Sequence, residues 1–373
     1  MKPSLDVKPL FETPCLVIRE EQLHANVAAM AEAVVRTSAK LRPHTKTHKL
    51  PEMAQLQIDE GADGITVAKI AEAEVMAAGG IRDIFVAYPI VAYSKLERAA
   101  RLLQAGIRLI LGVDSKDGAS RMSEIAVREG ISFEARLEID SGMARTGVTP
   151  SDAVKLAEWI HSLPGIHLTG LFTYRGAMLK GAATMELRAA GHEEGRIMAQ
   201  TAAAIRDAGI PIAEVSVGSS PTALYAAEIE GITEVRPGTY IYQDRMQAAF
   251  GLCHLEDCAG TIWATVVSRP APDRIVIDGG SKTFATDVQP GKPPLHLKGF
   301  GHIVGDDAAV FDRMSEEHGV ILVDPDSDYR IGDIISIIPN HICSTVNLHN
   351  SIYLENADGE LKKIKIAARG LLD

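Results

Sequence analysis

The sequence reads Arg42-Pro-His-Thr-Lys-Thr-His-Lys49 at the end of its first predicted strand, which follows an amphipathic helix. This octapeptide places two lysines and two histidines beside Pro43. Neighbouring positive charge and partial burial favour the neutral form of a lysine, and a neutral amine can condense with an aldehyde. The alternative is a solvated basic turn, which is the usual explanation of a short basic run. The rest of the chain favours a reactive lysine.

The segments that follow the octapeptide predict a barrel. Strand patterns alternate with alanine-rich helical patterns, such as 70–78 and 189–208, from about residue 22 to residue 243. Eight β/α units over this length predict a TIM (β/α)8 barrel. A doubly wound open sheet is the alternative, but no Gly-x-Gly-x-x-Gly motif follows the first strand. The eight predicted strands are 40–42, 64–68, 83–88, 108–113, 133–139, 167–173, 213–217 and 234–236.

The pattern changes at about residue 246, where short strands are separated by loops rich in proline, glycine and aspartate. A chain of 373 residues is too long for one ordinary core. We therefore expect a second, mainly β domain in the C-terminal third. Its predicted strands are 261–268, 274–278, 334–338, 351–354 and 363–368.

The composition excludes several classes of partner. The net charge of −11 argues against nucleic acid and against anionic membranes. The apolar run 85–93 is too short to span a membrane and contains Pro89. The first residues contain no hydrophobic region, so we expect no signal peptide. Four cysteines in a chain of this size predict no disulfide framework, and we expect a cytoplasmic enzyme that acts on a small molecule.

Small residues follow the last two predicted barrel strands, as Gly218-Ser-Ser220 and as Arg236-Pro-Gly-Thr-Tyr240. Chemistry in a barrel gathers at the carboxyl ends of the strands, and small residues let backbone amides and hydroxyls approach a phosphate there. A reactive lysine at one strand end and a phosphate-binding loop at another suggest pyridoxal phosphate as the cofactor. Each loop alone is a common type of turn.

Four segments together carry a family resemblance: 42–49, 139–147, 235–240 and 339–349. In this order they resemble the D-threonine aldolase/D-serine dehydratase family, whose members share the barrel of alanine racemase. The likeness runs from Thr13 to Gly370. It implies a pyridoxal-phosphate barrel of fold type III at 22–245 and a β domain formed by 1–21 and 246–373. It also implies a homodimer and a divalent metal beside the cofactor.

The resemblance assigns roles to single residues. Lys46 matches the lysine that forms a Schiff base with the cofactor, although the residues alone leave Lys49 as an alternative. Arg145 matches an arginine that reaches the phenolic oxygen of the cofactor, and Tyr174 matches a tyrosine near its ring. Arg236 matches an arginine that contacts the ring nitrogen in the racemases. Lys46 and Tyr174 are the predicted catalytic residues.

Further cofactor contacts are predicted beside these residues. His44 is a candidate contact two positions before the reactive lysine, with a structural role as the alternative. The phosphate-binding segments of the family are matched by Ser219, Ser220, Gly238 and Thr239.

A metal site is predicted at His341 and Cys343, which alternate along what looks like a strand end and would therefore point the same way. An imidazole and a thiolate can bind a divalent ion with water in the remaining positions. A buried histidine beside a core cysteine is the alternative. The family motif favours a metal, and the thiolate favours zinc over manganese or magnesium. Cys253 and Cys258 lack a second pair and are predicted to be packing residues.

We expect a metal-assisted lyase for D-β-hydroxy-α-amino acids, of the D-threonine aldolase type, which produces glycine and an aldehyde. A D-serine or D-3-hydroxyaspartate dehydratase, which produces a 2-oxo acid and ammonia, is the alternative. Aldolases of the family often have His-x-Asp where this chain has His-x-Cys, and Lys180 stands near the place of their histidine base. A racemase-like enzyme and a non-catalytic carrier of pyridoxal phosphate are further alternatives. A sugar-processing barrel would need paired carboxylates, for which only Glu138 and Asp140 lie near a strand end.

Overall fold

The computed structural model describes residues 11–373. Within the described residues the chain forms two compact units, of which one comprises residues 28–238 and 371–373 and the other comprises residues 11–27 and 239–370. The predicted domains, 22–245 and 1–21 with 246–373, stay a prediction, and residues 1–10 of the second lie outside the described residues. Below, the first unit is called the barrel unit and the second the β unit.

The described chain begins with β1 (Cys15–Arg19) and α1 (Glu20–Val35). The strands of the barrel unit are β2 (Lys40–Leu41), β3 (Ile65–Val67), β4 (Asp83–Pro89), β5 (Arg108–Val113), β6 (Phe133–Glu138), β7 (Ile166–Phe172), β8 (Met178–Leu179), β9 (Ala182–Ala183), β10 (Glu214–Val217) and β11 (Glu234–Val235). Its helices are α2 (Pro51–Asp59), α3 (Ile70–Ala78), α4 (Tyr93–Gln104), α5 (Lys116–Glu129), α6 (Ala153–Ser162), α7 (Leu187–Asp207) and α8 (Ala223–Ala226).

Eight of these strands form one parallel sheet in the order β2-β11-β10-β7-β6-β5-β4-β3. Its two ends are joined by a parallel bridge between His44 and Thr66, where the backbone N–H of Thr66 donates to the Pro43 carbonyl at 2.8 Å. The predicted (β/α)8 barrel is therefore confirmed. β8 and β9 form a separate two-stranded hairpin.

The barrel strands are buried on both faces because helices cover the outside and side chains fill the inside. β3, for example, is buried at all of its three positions. The inside also holds a charged network, in which Glu234 on β11 bonds Arg42 at 2.6 Å and Arg136 on β6 at 2.5 Å. The Arg136 guanidinium lies over the ring of Phe85 on β4, at 4.7 Å from its centroid. The two adjacent guanidinium groups compensate the negative charge of this buried carboxylate.

The β unit contains β12 (Gly260–Ala271), β13 (Arg274–Ile277), β14 (Gly301–Ile303), β15 (Val310–Met314), β16 (Gly319–Leu322), β17 (Ile334–Pro339), β18 (Ser351–Glu355) and β19 (Leu361–Lys365), with helices α9 (Arg245–Ala249) and α10 (Ile342–Leu348). The main strand order is β15-β16-β13-β12-β1-β18-β19, and β17 pairs with β12 and β14. β1 is antiparallel to β12 and parallel to β18. This arrangement is the predicted mainly β domain.

Over residues 11–373, each helix is too short or too polar to cross a membrane.

Candidate active site

A cavity of about 300 Å³ opens at the carboxyl ends of the barrel strands. Its walls come from residues that end or follow β2, β3, β4, β6, β7 and β11. Five predicted site residues line it, namely His44, Lys46, Arg145, Tyr174 and Arg236. Sequence reasoning missed Lys69 and Tyr88 and gave no cofactor role to Glu138, and these residues line the cavity too.

The two lysines of the octapeptide have different surroundings. Lys46 is half-buried in a short helical turn, and its Nζ lies 5.2 Å from the centroid of the Tyr174 ring. Lys49 is only 5% exposed, and its Nζ lies 3.1 Å from Oε1 of Glu72. Lys46 lines the cavity, whereas Lys49 is engaged in a buried ion pair with α3. The geometry therefore favours Lys46 as the reactive lysine.

His44 is buried beside Lys46. Burial, together with the charges of Lys46 and Arg236 and the neighbouring His48, lowers the pKa of His44 well below its usual value. Its Nδ1 accepts a hydrogen bond from the backbone N–H of Lys46 at 3.3 Å. The neutral ring therefore carries its proton on Nε2 and can serve there as a hydrogen-bond donor.

Arg236 is a buried cation at the end of β11. Its Nε donates to Oγ of Ser216 at 2.7 Å, and its Nη2 donates to the carbonyl of Thr173. Burial lowers the pKa of Arg236 to about 10, so the guanidinium stays charged at neutral pH. Arg145 is exposed on the loop after β6, and its guanidinium lies 5.2 Å from the centroid of the Tyr174 ring. Tyr174 is thus contacted by both Lys46 and Arg145.

Glu138, the last residue of β6, is 4% exposed. Its Oε1 accepts a hydrogen bond from Oγ1 of Thr146 at 2.8 Å, while its Oε2 is buried without a hydrogen-bond partner among residues 11–373. Burial raises the pKa of Glu138 above its ordinary value. The only sequence signal for this residue was its place at a strand end. Lys69 follows β3, and its Nζ lies 3.8 Å from the centroid of the Tyr88 ring.

The two predicted phosphate loops follow β10 and β11, which neighbour β2 in the sheet. Gly218 has φ +86°, and a Cβ there would lie 2.8 Å from Cα of Ala223. A Cβ on Gly238 would lie 2.9 Å from the His44 carbonyl oxygen, so only glycine lets this loop approach the end of β2. Ser219 is buried with its Oγ 3.0 Å from Oγ1 of Thr222, and Ser220 follows it half-buried.

Pyridoxal phosphate fits this arrangement. Lys46, Gly238 and Gly218 follow three neighbouring strands, so the predicted reactive lysine and the two predicted phosphate loops lie at the carboxyl ends of adjacent strands. Arg236, a charged donor, and the aromatic Tyr174 line the cavity beside the lysine. Of the predicted phosphate contacts, Thr239 belongs to the β unit, where its Oγ1 lies 3.4 Å from Sγ of Cys343.

The prediction that His341 and Cys343 alternate along a strand is wrong. β17 ends at Pro339 and α10 begins at Ile342, whose backbone N–H donates to Oδ2 of Asp244 at 3.0 Å. This bond satisfies an amide at the start of α10, 98 residues away from its acceptor. His341 therefore stands just before the helix and Cys343 in its first turn.

The two side chains nevertheless interact, because Cys343 acts to raise the pKa of His341. Nδ1 of His341 lies 2.5 Å from Oδ2 of Asp287. Burial alone would lower the pKa of His341, but Cys343 and Asp287 outweigh it and raise that pKa well above its usual value. A carboxylate on one ring nitrogen is the usual partner of a metal-binding histidine, so the pair has suitable chemistry for a divalent ion. Across residues 11–373, however, no three His, Cys, Asp or Glu side chains converge as a metal cage.

Other residues considered from the sequence lie elsewhere. Lys180 is exposed beside the β8–β9 hairpin. Cys253 and Cys258 are hydrogen-bonded to each other, an arrangement that suits packing residues. Asp140 caps the loop after β6, where its Oδ1 accepts bonds from two backbone N–H groups at 2.9 and 3.0 Å.

Comparisons with known proteins match most of the chain. Residues 18–246 match the alanine racemase N-terminal domain, and residues 259–354 match a putative serine dehydratase domain. The chain is 31% identical to a D-threonine aldolase from an Arthrobacter species, over 96% of this chain and 93% of that protein. It is 31% identical to a D-threo-3-hydroxyaspartate dehydratase from Delftia sp. (strain HT23), over 94% of this chain and 96% of that protein.

A similar solved structure is that of a cysteine-to-alanine variant of D-threo-3-hydroxyaspartate dehydratase in its metal-free form. It is 30% identical to this chain, has a TM-score of 0.86, and is matched over 95% of this chain and 97% of that one.

Proposed function

Because the chain belongs to the alanine racemase N-terminal domain family, in the branch of D-threonine aldolase and D-serine dehydratase, we propose that it is a pyridoxal-phosphate-dependent lyase for D-β-hydroxy-α-amino acids. The principal candidate is a D-threonine aldolase. The observation that carries this proposal is the cavity at the strand ends, which Lys46 lines together with Arg145, Tyr174 and Arg236.

The predicted site residues have different roles. Lys46 would hold the cofactor and accept or return a proton at its Nζ. Arg236 would donate to the cofactor ring, because it lines the cavity and its charge persists at neutral pH. Ser219, Ser220, Gly238 and Thr239 would hold the phosphate. When bound, pyridoxal phosphate acts as an electron sink for negative charge at the substrate Cα.

Around the reacting atoms, Tyr174 and His44 would serve as positioned donors. Lys46 and Arg145 both contact the Tyr174 ring. These two cations would fix the orientation of the ring and thereby the position of its hydroxyl. His44 has its free proton on Nε2, and its low pKa keeps it a neutral donor. Arg145 would approach the phenolic oxygen of the cofactor.

In the aldolase reaction the β-hydroxyl loses its proton and the Cα–Cβ bond breaks, so that glycine and an aldehyde form. A dehydratase is the second candidate, because Cys343 stands beside His341 and an exposed Lys180 replaces the histidine base expected of aldolases. In that reaction Cα loses its proton and Cβ loses its hydroxyl, and hydrolysis then gives a 2-oxo acid and ammonia.

We propose that the β unit binds a divalent metal through His341 and Cys343, with Asp287 orienting the imidazole. A thiolate ligand favours zinc, with manganese and magnesium as alternatives. A bound divalent ion would supply Lewis-acid stabilisation of a negatively charged oxygen. A homodimer, a cytoplasmic location and the domain boundaries at residues 22 and 245 are proposed on the family resemblance and the sequence pattern.

A product assay tests the proposal. The purified protein with pyridoxal phosphate and zinc is incubated with D-threonine, and with L-threonine as the control. Glycine and acetaldehyde identify an aldolase, while 2-oxobutanoate and ammonia identify a dehydratase. The absence of both product pairs with D-threonine, D-serine and D-3-hydroxyaspartate would contradict the proposed lyase.

A further inference from the structure

We propose that Glu193 is a positioning residue that holds the Tyr174 hydroxyl at the cavity, an inference that rests on the proposed lyase function, in which Tyr174 is catalytic. One carboxylate oxygen of Glu193, on α7, accepts two hydrogen bonds from residues 174–183. This segment follows β7 and contains the β8–β9 hairpin. Below, it is called the β7 loop.

The two hydrogen bonds end on the same atom of Glu193. Nη2 of Arg175 donates to Oε2 of Glu193 at 2.9 Å, and the backbone N–H of Lys180 donates to the same Oε2 at 2.9 Å. The side chain of Arg175 is 1% exposed and that of Glu193 is 29% exposed. Hydrogen bonds to an ionised acceptor are stronger than those between neutral groups. Glu193 therefore fastens both the start and the tip of the β7 loop to α7.

The buried charge of Arg175 depends on Glu193. Nε and Nη1 of Arg175 are buried and have no hydrogen-bond partner in the described part of the chain. Glu194, the next residue of α7, is engaged elsewhere, since its two oxygens accept bonds from the backbone N–H of Gly218 and the hydroxyl of Thr222, both at 3.1 Å. A buried guanidinium without a paired carboxylate is costly. Loss of the Glu193 charge would therefore drive Arg175 toward solvent and displace the adjoining backbone.

The tip of the β7 loop is a tight turn. Lys180 and Gly181 have φ +50° and +77°, and they connect the paired strands β8 and β9. A two-residue hairpin turn of type I′ requires positive φ at both residues, which is unfavourable for a lysine. Glu193 accepts the N–H of this lysine and thereby stabilises the turn. The main chain of Lys180, rather than its amine, makes the contact.

The start of the β7 loop determines where the Tyr174 hydroxyl lies. Tyr174 lines the cavity, and Arg175, the next residue, is buried and bonded to α7. Gly176 has φ +63°, and a Cβ there would lie 3.7 Å from Oη of Tyr174, so the chain turns beside the hydroxyl. Displacement of Arg175 would therefore move this hydroxyl. A shift of about 1 Å in a positioned group is enough to slow a reaction strongly.

A double-mutant cycle with Glu193→Gln and Tyr174→Phe tests this role. The readouts are kcat and KM for D-threonine in the presence of pyridoxal phosphate and zinc. Glu193→Gln should lower kcat about tenfold and change KM less than about twofold, because the hydroxyl is displaced while the substrate still binds. Tyr174→Phe has no hydroxyl to displace, so the double variant should have the kcat of Tyr174→Phe alone. A general loss of structure would instead multiply the two effects.

Two further variants separate charge from folding. Glu193→Asp keeps the carboxylate and should recover part of kcat, and it replaces Glu193→Gln in the cycle if the glutamine variant does not fold. Glu186→Gln is the matched control. Glu186 is an exposed glutamate just before α7 whose side chain makes no capping hydrogen bond, so its variant should have the kcat of the wild type.

Trypsin cleavage after Lys180 reports on the β7 loop without turnover, because proteolysis of a folded protein follows local opening. Glu193→Gln should be cut there about tenfold faster than the wild type, and Glu186→Gln at the wild-type rate. An unchanged cleavage rate in Glu193→Gln, or multiplied losses of kcat in the double variant, would overturn the inference while the proposed function stands. A wild-type protein that turns over neither D-threonine, D-serine nor D-3-hydroxyaspartate would overturn both.

Discussion

Nζ of Lys49 lies 3.1 Å from Oε1 of Glu72, and the two side chains are only 6% and 3% exposed. The second oxygen of Glu72 accepts a hydrogen bond from the backbone N–H of Ala68 at 2.8 Å. The octapeptide is thus tied to the start of α3 by its last lysine, while Lys46 is left at the cavity. One lysine stabilises the fold and the other is available for chemistry.

The variant Lys49→Met should lower the free energy of unfolding by about 3–5 kcal/mol, because Glu72 would stay buried without its countercharge. Urea unfolding measures this loss. The same variant should keep the visible absorption band of the bound cofactor. Lys46→Ala is the matched control, and it should lose the band with little change in stability. Loss of the band in Lys49→Met and its persistence in Lys46→Ala would contradict this division of roles.

Removal of the charge of Glu234 should weaken the barrel interior. Glu234→Gln leaves Arg136 buried without its carboxylate partner and leaves Arg42 with Asp83 alone, so we expect a loss of about 3–5 kcal/mol in the free energy of unfolding. Guanidinium or urea titration at pH 7 measures it. A loss below 1 kcal/mol would show that the network has little net effect on stability.

Glu234 should also make the free energy of unfolding depend on pH. Burial alone would raise the pKa of Glu234, but Arg136 and Arg42 outweigh burial and lower it from 4.5 to about 2. A lowered folded pKa stabilises the protein fully above pH 4.5, and this stabilisation is lost as the pH falls from 4.5 toward 2. The loss amounts to about 3 kcal/mol in the wild type and should be absent from Glu234→Gln. Parallel stability curves for the two proteins between pH 6 and pH 2 would contradict the assignment.

For Glu194 on α7 we expect the opposite dependence, in which the stability of the fold decreases as the pH rises. Burial raises its pKa above 4.5, although the backbone N–H of Gly218 and the Thr222 hydroxyl oppose this shift. A raised folded pKa gives stability that is full below pH 4.5 and is lost as the pH rises through the raised value. Glu194→Gln keeps an acceptor for Gly218 and should therefore show a flatter curve. Thermal unfolding between pH 4 and pH 8 measures it, and an equally steep decline in the variant would count against the prediction.

Metal removal should abolish the lyase activity, and zinc or manganese should restore it. Asp287→Asn replaces the carboxylate that orients His341 by an amide. The affinity of this variant for zinc should therefore fall about 10- to 100-fold. Competition with a zinc-binding dye measures this affinity. Cys253→Ala is the control, because that thiol contacts Cys258 rather than His341. Activity that survives complete chelation would remove the metal from the account.

The barrel was predictable because its signals are local. Each strand is a short apolar run between alanine-rich helical patterns, and the observed strands 108–113 and 133–138 differ from their predicted bounds by at most one residue. Gly218 and Gly238 stand in the loops after β10 and β11, where a side chain at either position would collide with neighbouring backbone.

The features that sequence reasoning missed depend on distant partners. The segment 342–348 contains isoleucine, threonine and valine, which favour strands, yet it is the helix α10. Its first N–H is satisfied by Asp244, which no local pattern indicates. In the same way, the Lys49–Glu72 pair and the unpartnered oxygen of Glu138 arise only when the barrel closes. β14, β15 and β16 were missed because each of these strands is only three to five residues long.

The most direct test of the central claim is reduction of the protein with borohydride in the presence of pyridoxal phosphate, followed by peptide mass spectrometry. The reduced cofactor should be found on Lys46, and the visible band should disappear on reduction. A cofactor found on Lys49, or no covalent cofactor in a protein that binds pyridoxal phosphate, would contradict the assignment of the reactive lysine.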